Sequence, residues 1–267
     1  MAVTINNQLY DEFADTWWDE NEFLSLLKVM VNPWRVPYFK NALIKHYGQH
    51  LSQVRLLDIG CGGGVLAEEF ARSECQVSGV DISAESIVVA QAHAAKSGLS
   101  IDYRVGSGTS LPFDNHSFEA VACCDVLEHI HDWRQVIAEA ARVLVPGGLF
   151  FFDTINRTLK SQLIFIYGLQ KSSLTRLMPE NIHLWKMFIT PKEITTALKE
   201  QGLAVQDMQG GKIAQNPLAT LWEVWQQKRG RINFAELGRR LTLKLDADRS
   251  LNYLGFARKE LGLYYAD

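Results

Sequence analysis

The sequence predicts an α/β fold, a mostly parallel sheet covered by helices on both faces, and three observations carry that prediction. From residue 53 onward, short apolar runs alternate with amphipathic stretches of helical length, the pattern of right-handed strand–helix–strand crossovers. A glycine-rich turn, Gly60-Cys61-Gly62-Gly63-Gly64, directly follows the first apolar run and opens a helix. The chain has 267 residues, 47% hydrophobic and 21% charged, which suits one large domain or one domain with insertions.

Taken in order, residues 1–50 read as a helical cap in which Trp17, Trp18, Phe23, Trp34 and Tyr38 stand among acidic residues. So many aromatic rings need a larger body to lie against, and residues 51–267 supply it. Strands are expected at 54–59, 76–80, 101–105, 120–124 and 149–153, with helices at about 65–72, at 84–96 and at 133–144. Gly98 ends the second of these helices, and Pro146-Gly147-Gly148 stops the third. A helix at 191–201 and strands at 203–208 and 252–257 bring the strand count to seven. The regularity breaks twice, at about 156–190 and 217–247, and both stretches read as insertions. Within the first, residues 157–178 mix Leu159, Leu163, Ile164, Phe165, Ile166 and Leu169 with Lys160, Lys171 and Arg176. That mixture suits an interfacial helix or a lid packing its apolar face on the domain.

Thirty acidic against 27 basic residues, a net charge of -3, exclude a generic basic nucleic-acid surface. The four cysteines, Cys61, Cys75, Cys123 and Cys124, are too few for a disulfide framework and fit no zinc module, which favours a reducing compartment. No apolar run reaches the ~20 residues of a membrane span, and the N-terminus lacks a secretory pattern. A cytoplasmic protein is expected.

In the turn, only glycine lets backbone approach a ligand without an obstructing Cβ. A dinucleotide fingerprint would need Gly at 65, where this chain has Val65. Asp58, two residues before Gly60, offers an anion for a ligand that carries an ammonium group. Asp81 ends the second strand, where a carboxylate can accept both hydroxyls of a ribose; its alternative role, shared with Ser83, is to cap the following helix.

Asp58 to Gly64, Asp81, Leu111-Pro112-Phe113 and Pro146-Gly147-Gly148 together resemble the class I S-adenosylmethionine-dependent methyltransferases. The resemblance implies a Rossmann-like seven-stranded sheet whose last strand is antiparallel. It implies cofactor contacts from Asp58, Gly60, Cys61, Gly62, Asp81 and Ile82. Many members hold the adenine amine with an acid near position 107; here Gly106-Ser107-Gly108 stands instead, so Ser107, Gly108 or backbone groups take that contact.

A narrower set lies outside the generic cofactor motifs. Trp17-Trp18-Asp19, Asn32-Pro33-Trp34-Arg35, Asp125-Val126-Leu127-Glu128-His129, Thr154-Ile155-Asn156-Arg157, His183-Leu184-Trp185 and Asn252-Tyr253 are similar to the ubiquinone-biosynthesis O-methyltransferases. This resemblance covers about 15–205 and a short C-terminal stretch. It implies that Arg35 reaches the cofactor carboxylate and that Cys124 lines the adenosine pocket. The chain departs at Glu180-Asn181-Ile182-His183 and in a longer connection over 218–250, both bearing on the acceptor pocket.

Methyl transfer from a sulfonium is an in-line displacement in which the protein supplies alignment and a dry site. A phenolic acceptor, pKa ~10, must still lose a proton. His129 is the candidate base; alternatively Asp125, Glu128 and His129, on one face of a helical turn, hold a divalent cation such as Mg²⁺. The expected acceptor is a phenol or quinone precursor, prenylated by the resemblance, which would bring 157–178 against the inner membrane surface. Another small phenolic acceptor, or a non-catalytic cofactor-binding module, are the alternatives.

Overall fold

The computed structural model describes residues 9–261. Its eight-stranded sheet runs in the order β3-β2-β1-β4-β5-β8-β6-β7. The strands are β1 (Arg55–Ile59), β2 (Gln76–Asp81), β3 (Ile101–Val105), β4 (Phe118–Cys124), β5 (Leu144–Ile155), β6 (Leu203–Ile213), β7 (Leu243–Asp246) and β8 (Asn252–Lys259). β1 to β5 pair in parallel, and β8 inserts antiparallel between β5 and β6.

The sheet alternates sides at each residue, so both faces are apolar. Leu57, Ile59, Phe150 and Phe152 pack with Val136, Ile137 and Ile194, on helices Trp133–Val143 and Pro191–Glu200. Leu56, Ala122, Phe151 and Leu254 point the other way. They meet Phe39, Phe70 and Ile87 on helices Asn32–Tyr47, Ala67–Arg72 and Ala84–Lys96. This double burial produces the near-continuous apolar runs visible in the sequence.

Eight strands stand where seven were expected. The extra one, β7, lies inside the 217–247 stretch and forms an antiparallel edge pair with β6. With only four residues, Leu243-Lys244-Leu245-Asp246, its alternation was too short to read. Pro146-Gly147-Gly148 does not separate helix from strand; it belongs to β5, with Gly147 at φ +82° beside a register shift against β4. The first helix begins at Ala67 rather than near Val65, because the glycine turn uses the intervening residues.

The 156–190 insertion holds the short helix Leu159–Ser161 and the π-helical segment Gln162–Lys171. The 217–247 insertion holds helices Pro217–Lys228 and Phe234–Arg240, capped by Asn216 and Asn233, before β7. The N-terminal cap runs from Leu9–Glu12 through the π-helical Leu27–Val31 into Asn32–Tyr47. Among the described residues, no helix is long and apolar enough to cross a membrane.

Candidate active site

A cavity of about 920 Å³ follows the carboxyl edge of the sheet, under the N-terminal cap and both insertions. Its floor begins at the glycine turn. Gly60, Gly62 and Gly64 take φ of +72°, +50° and +85°, conformations that L side chains rarely adopt. A Cβ on Gly62 or Gly63 would lie 2.3 Å from Trp17, so these two glycines admit the cap. Trp17 Nε1 donates to Ser86 Oγ, and Trp18 Nε1 donates to the Gly63 carbonyl, both at 2.9 Å.

Asp81 holds the turn from below: its carboxylate accepts from the backbone N–H of Gly62 at 2.8 Å and of Ser83 at 2.9 Å. The capping role falls to Ser83, whose hydroxyl accepts from Ser86 N–H. Ile82 stands exposed at the cavity mouth; Ser107 and Gly108 line the wall beyond β3. The Ser107 hydroxyl is engaged locally, accepting from Thr109 N–H and lying 2.8 Å from the Thr109 hydroxyl. Cys61 and Cys124 are buried in the same cavity wall, and burial pushes both thiols well up, so they stay neutral.

Asp58 is 2% exposed and its Oδ2 has no hydrogen-bond partner. Burial raises its pKa to about 7, against the pull of Arg35. An acceptor oxygen left orphaned at a ligand-lined edge suits an ammonium group, and with the open glycine turn and Asp81 it fits the aminoacyl and ribose parts of S-adenosylmethionine.

Arg35 is fully interior. Its NH1 donates to Asp125 Oδ2 at 2.6 Å and Asp153 Oδ2 at 2.9 Å, while Nε donates to Asn32. Burial favours the neutral form, but the two carboxylates outweigh it and hold the guanidinium charged. Asp153, at the carboxyl end of β5, also accepts from Asp125 N–H at 2.8 Å. Sequence reasoning passed over Asp153, although an acid at a strand's carboxyl edge is a signal of the kind that singled out Asp81.

The predicted trio of Asp125, Glu128 and His129 is not gathered. Asp125 sits at φ +56°, outside the turn Leu127–His129, and its carboxylate faces Arg35. The helical spacing argument fails because position 125 is not helical. Glu128 and His129 instead meet His183 from the first insertion, with one ligand-capable atom of each within 4.8 Å of the others. Glu128 accepts from the Thr154 hydroxyl at 2.9 Å, and burial, reinforced by Asp125, raises its pKa to about 8. Burial lowers His129 to about 4, opposed by Asp125, and lowers His183 well below its ordinary value. The Tyr10 hydroxyl lies 3.4 Å from His129 Nε2. Tyr10 and His183 are cavity residues that only the chain's folding brings in.

Residues 57–152 match the family described as methyltransferase domain. A ubiquinone biosynthesis O-methyltransferase from Methylobacterium nodulans is 36% identical over 219 residues, 80% of this chain and 86% of the relative. One of the same name from Thiobacillus denitrificans is 33% identical over 253 residues, 94% of this chain and 95% of the relative. Among solved structures, SAM-dependent methyltransferases from Methanosarcina mazei and Aquifex aeolicus share the fold. The first has a TM-score of 0.55 at 20% identity, covering 80% of this chain and 96% of that one. The second has 0.56 at 11%, covering 93% and 97%. On the fold, the cofactor edge and this sequence identity together, the chain is an S-adenosylmethionine-dependent methyltransferase and belongs to the ubiquinone biosynthesis O-methyltransferase family.

Proposed function

We propose that the chain methylates a phenolic hydroxyl of a quinone precursor bearing an apolar tail, with His129 as the general base. The observation that carries this reading is the phenol of Tyr10, 3.4 Å from His129 Nε2 in the same cavity as the orphaned Asp58 oxygen. Burial keeps His129 unprotonated at pH 7, and Asp125, which opposes that shift, stabilises the imidazolium formed when a phenol at that position gives up its proton. S-adenosylmethionine, when bound, would supply the methyl group to the acceptor oxygen and leave as S-adenosylhomocysteine. Asp58, Gly60, Gly62 and Asp81 hold the cofactor, Ile82, Ser107, Gly108, Cys61 and Cys124 its adenosine, and Arg35 its carboxylate. Trp17 covers the glycine turn and excludes water there.

A second reading rests on the grouping of Glu128, His129 and His183. These residues would hold a divalent cation, and Asp125 would join them once the cofactor carboxylate takes its place on Arg35. Such a cation supplies positive charge that lowers the pKa of a coordinated hydroxyl. Mg²⁺ prefers oxygen donors, so it fits the set only with Asp125 included.

The exposed apolar side chains Leu159, Leu163, Tyr167 and Leu174, beside Lys160, Lys171 and Arg176, support peripheral contact of 157–178 with an anionic lipid surface. The same segment contributes Phe165 and Leu169 to the cavity, so it also acts as a lid.

Label transfer tests both readings. Purified protein and methyl-labelled S-adenosylmethionine are incubated with tailed and tail-less catechols, with chelator and then with Mg²⁺ restored. Labelled ether that survives chelation but is lost in His129→Gln supports the base. Loss on chelation with recovery in Mg²⁺ supports the cation. No labelled ether with any phenol overturns the proposal.

A further inference from the structure

Arg35 carries one positive charge and meets two carboxylates. Nη1 alone donates to both acids, Asp125 Oδ2 at 2.6 Å and Asp153 Oδ2 at 2.9 Å. Nε donates to Asn32, which is itself buried and anchored to the Val65 carbonyl. Nη2 makes no hydrogen bond to the described residues. The guanidinium lines the cavity together with Asp58, Gly60 and Asp81. A ligand carboxylate binds such a group best as a fork, through two neighbouring N–H groups. With Nε tied to Asn32, the fork falls to Nη1 and Nη2, and one of the two acids on Nη1 has to give way.

The two are not equally free to do so. The Asp153 side chain is 4% exposed, against 39% for Asp125. Asp153 stands on β5 in register with Cys124 of β4, and its Oδ1 accepts from the Asp125 N–H at 2.8 Å. Pulling Asp153 out would leave two interior donors without an acceptor. Asp125 stands just past the end of β4 at φ +56°, with its side chain at the edge of the interior. Its backbone is held by Asp153, and Glu128 three residues on is held by the Thr154 hydroxyl at 2.9 Å. The end of β5 therefore fixes this loop at both ends and leaves the Asp125 side chain able to turn.

Charge leads to the same exchange. A ligand carboxylate added beside Asp125 and Asp153 would crowd three anions around one buried cation, where little water screens them. We infer that Asp125 holds the place of the cofactor's carboxylate on Arg35: S-adenosylmethionine docks by displacing the Asp125 side chain, while Asp153 stays and keeps the guanidinium charged and aimed. This rests on the reading of Arg35 as the contact for that carboxylate and deepens it by naming what the ligand replaces. An internal competitor lowers the affinity for the methyl donor and for S-adenosylhomocysteine by the same factor, because both carry the carboxylate. Asp125 is therefore a positioning residue that weakens cofactor binding and so eases release of the spent product.

The test is calorimetry with S-adenosylhomocysteine, with its decarboxylated analogue, and with 5′-methylthioadenosine, which lacks the whole aminoacyl arm. Asp125→Asn keeps a residue that tolerates the positive φ and removes the competing charge. It is expected to tighten S-adenosylhomocysteine roughly fivefold or more, while 5′-methylthioadenosine stays within about twofold of wild type. Asp125→Gly, unstrained at that φ, gives the same result and serves where Asp125→Asn fails to fold. A crystal structure of wild type with S-adenosylhomocysteine is expected to show the ligand carboxylate on Nη1 and Asp125 turned off it. Unchanged or weaker S-adenosylhomocysteine binding in both variants, an equal shift for 5′-methylthioadenosine, or Asp125 still paired with Arg35 in that crystal overturns the exchange. The decarboxylated analogue separates this from failure of the underlying reading. If it binds as tightly as S-adenosylhomocysteine in wild type and in both variants, Arg35 does not hold the carboxylate. If S-adenosylhomocysteine is favoured by the same factor in all of them, Arg35 holds it and the exchange alone falls.

Discussion

Asp58 and Asp81 are both acids at strand ends, yet they do different work. Asp81 is engaged by backbone: it accepts from Gly62 and Ser83, so it fixes the turn, and on the proposed reading its remaining lone pairs meet a ribose. Asp81→Ala removes two charge-assisted hydrogen bonds and is expected to weaken S-adenosylhomocysteine binding roughly 100-fold or more, measured calorimetrically. Asp58 is held in reserve at a cost in stability. Its pKa rises from 3.8 in the unfolded chain to about 7 in the fold, so the folded form keeps its proton while the unfolded form loses it. Stability from this group is therefore full below pH 3.8 and lost as pH rises through 7. Asp58→Asn is expected to remove that decline, raising Tm at pH 8 relative to wild type, while weakening cofactor binding. Unchanged Tm between pH 5 and pH 8 in both proteins would contradict the assignment. His129 has the opposite sign: its pKa falls from 6.5 to about 4, so its contribution is present above pH 6.5 and lost on acidification.

At the level of elements, each insertion shows two faces. In the first, Ile166 is buried against Ile155 and Phe188, while Leu159, Leu163 and Leu174 are 73%, 64% and 80% exposed. Replacing those three with Glu leaves the core untouched and is expected to abolish co-sedimentation with anionic liposomes without lowering Tm. Equal sedimentation of wild type and the triple variant would leave the segment a lid alone. In the second, Val224 faces inward while Leu218, Leu221 and Trp222 lie on the outside. Gly238→Ala forces a Cβ into Val29 and is expected to cost about 1–3 kcal/mol, a fall in Tm of roughly 2–10 °C. The cap is tied down differently, by indole hydrogen bonds and by the stacking of Trp18 on His93 with centroids 3.4 Å apart. Trp17→Ala is expected to speed S-adenosylhomocysteine release about tenfold in stopped-flow, because its indole covers Gly62 and Gly63 of the turn.

Across the molecule, one cavity follows the carboxyl edge of the sheet from β1, β2 and β4 to β5 and β6, which on the proposed reading seats the cofactor and the acceptor side by side. The antiparallel β8 makes this geometry. By entering between β5 and β6 it widens the edge and brings Asn252 and Tyr253 to the same cavity. The sequence by itself determined the alternation of strands and helices, the glycine turn and the acids Asp58 and Asp81, because each is written in contiguous residues whose period or spacing is local. The methyltransferase family was equally legible, since its motifs are short and keep their chain order. Only the tertiary structure decided which side chains share a site. Arg35 pairs with Asp125 and Asp153 across 90 and 118 residues, Tyr10 reaches His129 across 119, and His183 replaces Asp125 beside Glu128. No local pattern encodes such meetings, because they follow from how separate elements pack and from a single positive φ at Asp125 that turns its carboxylate away. The extra strand was hidden for a related reason: its four residues become a strand only by pairing with β6.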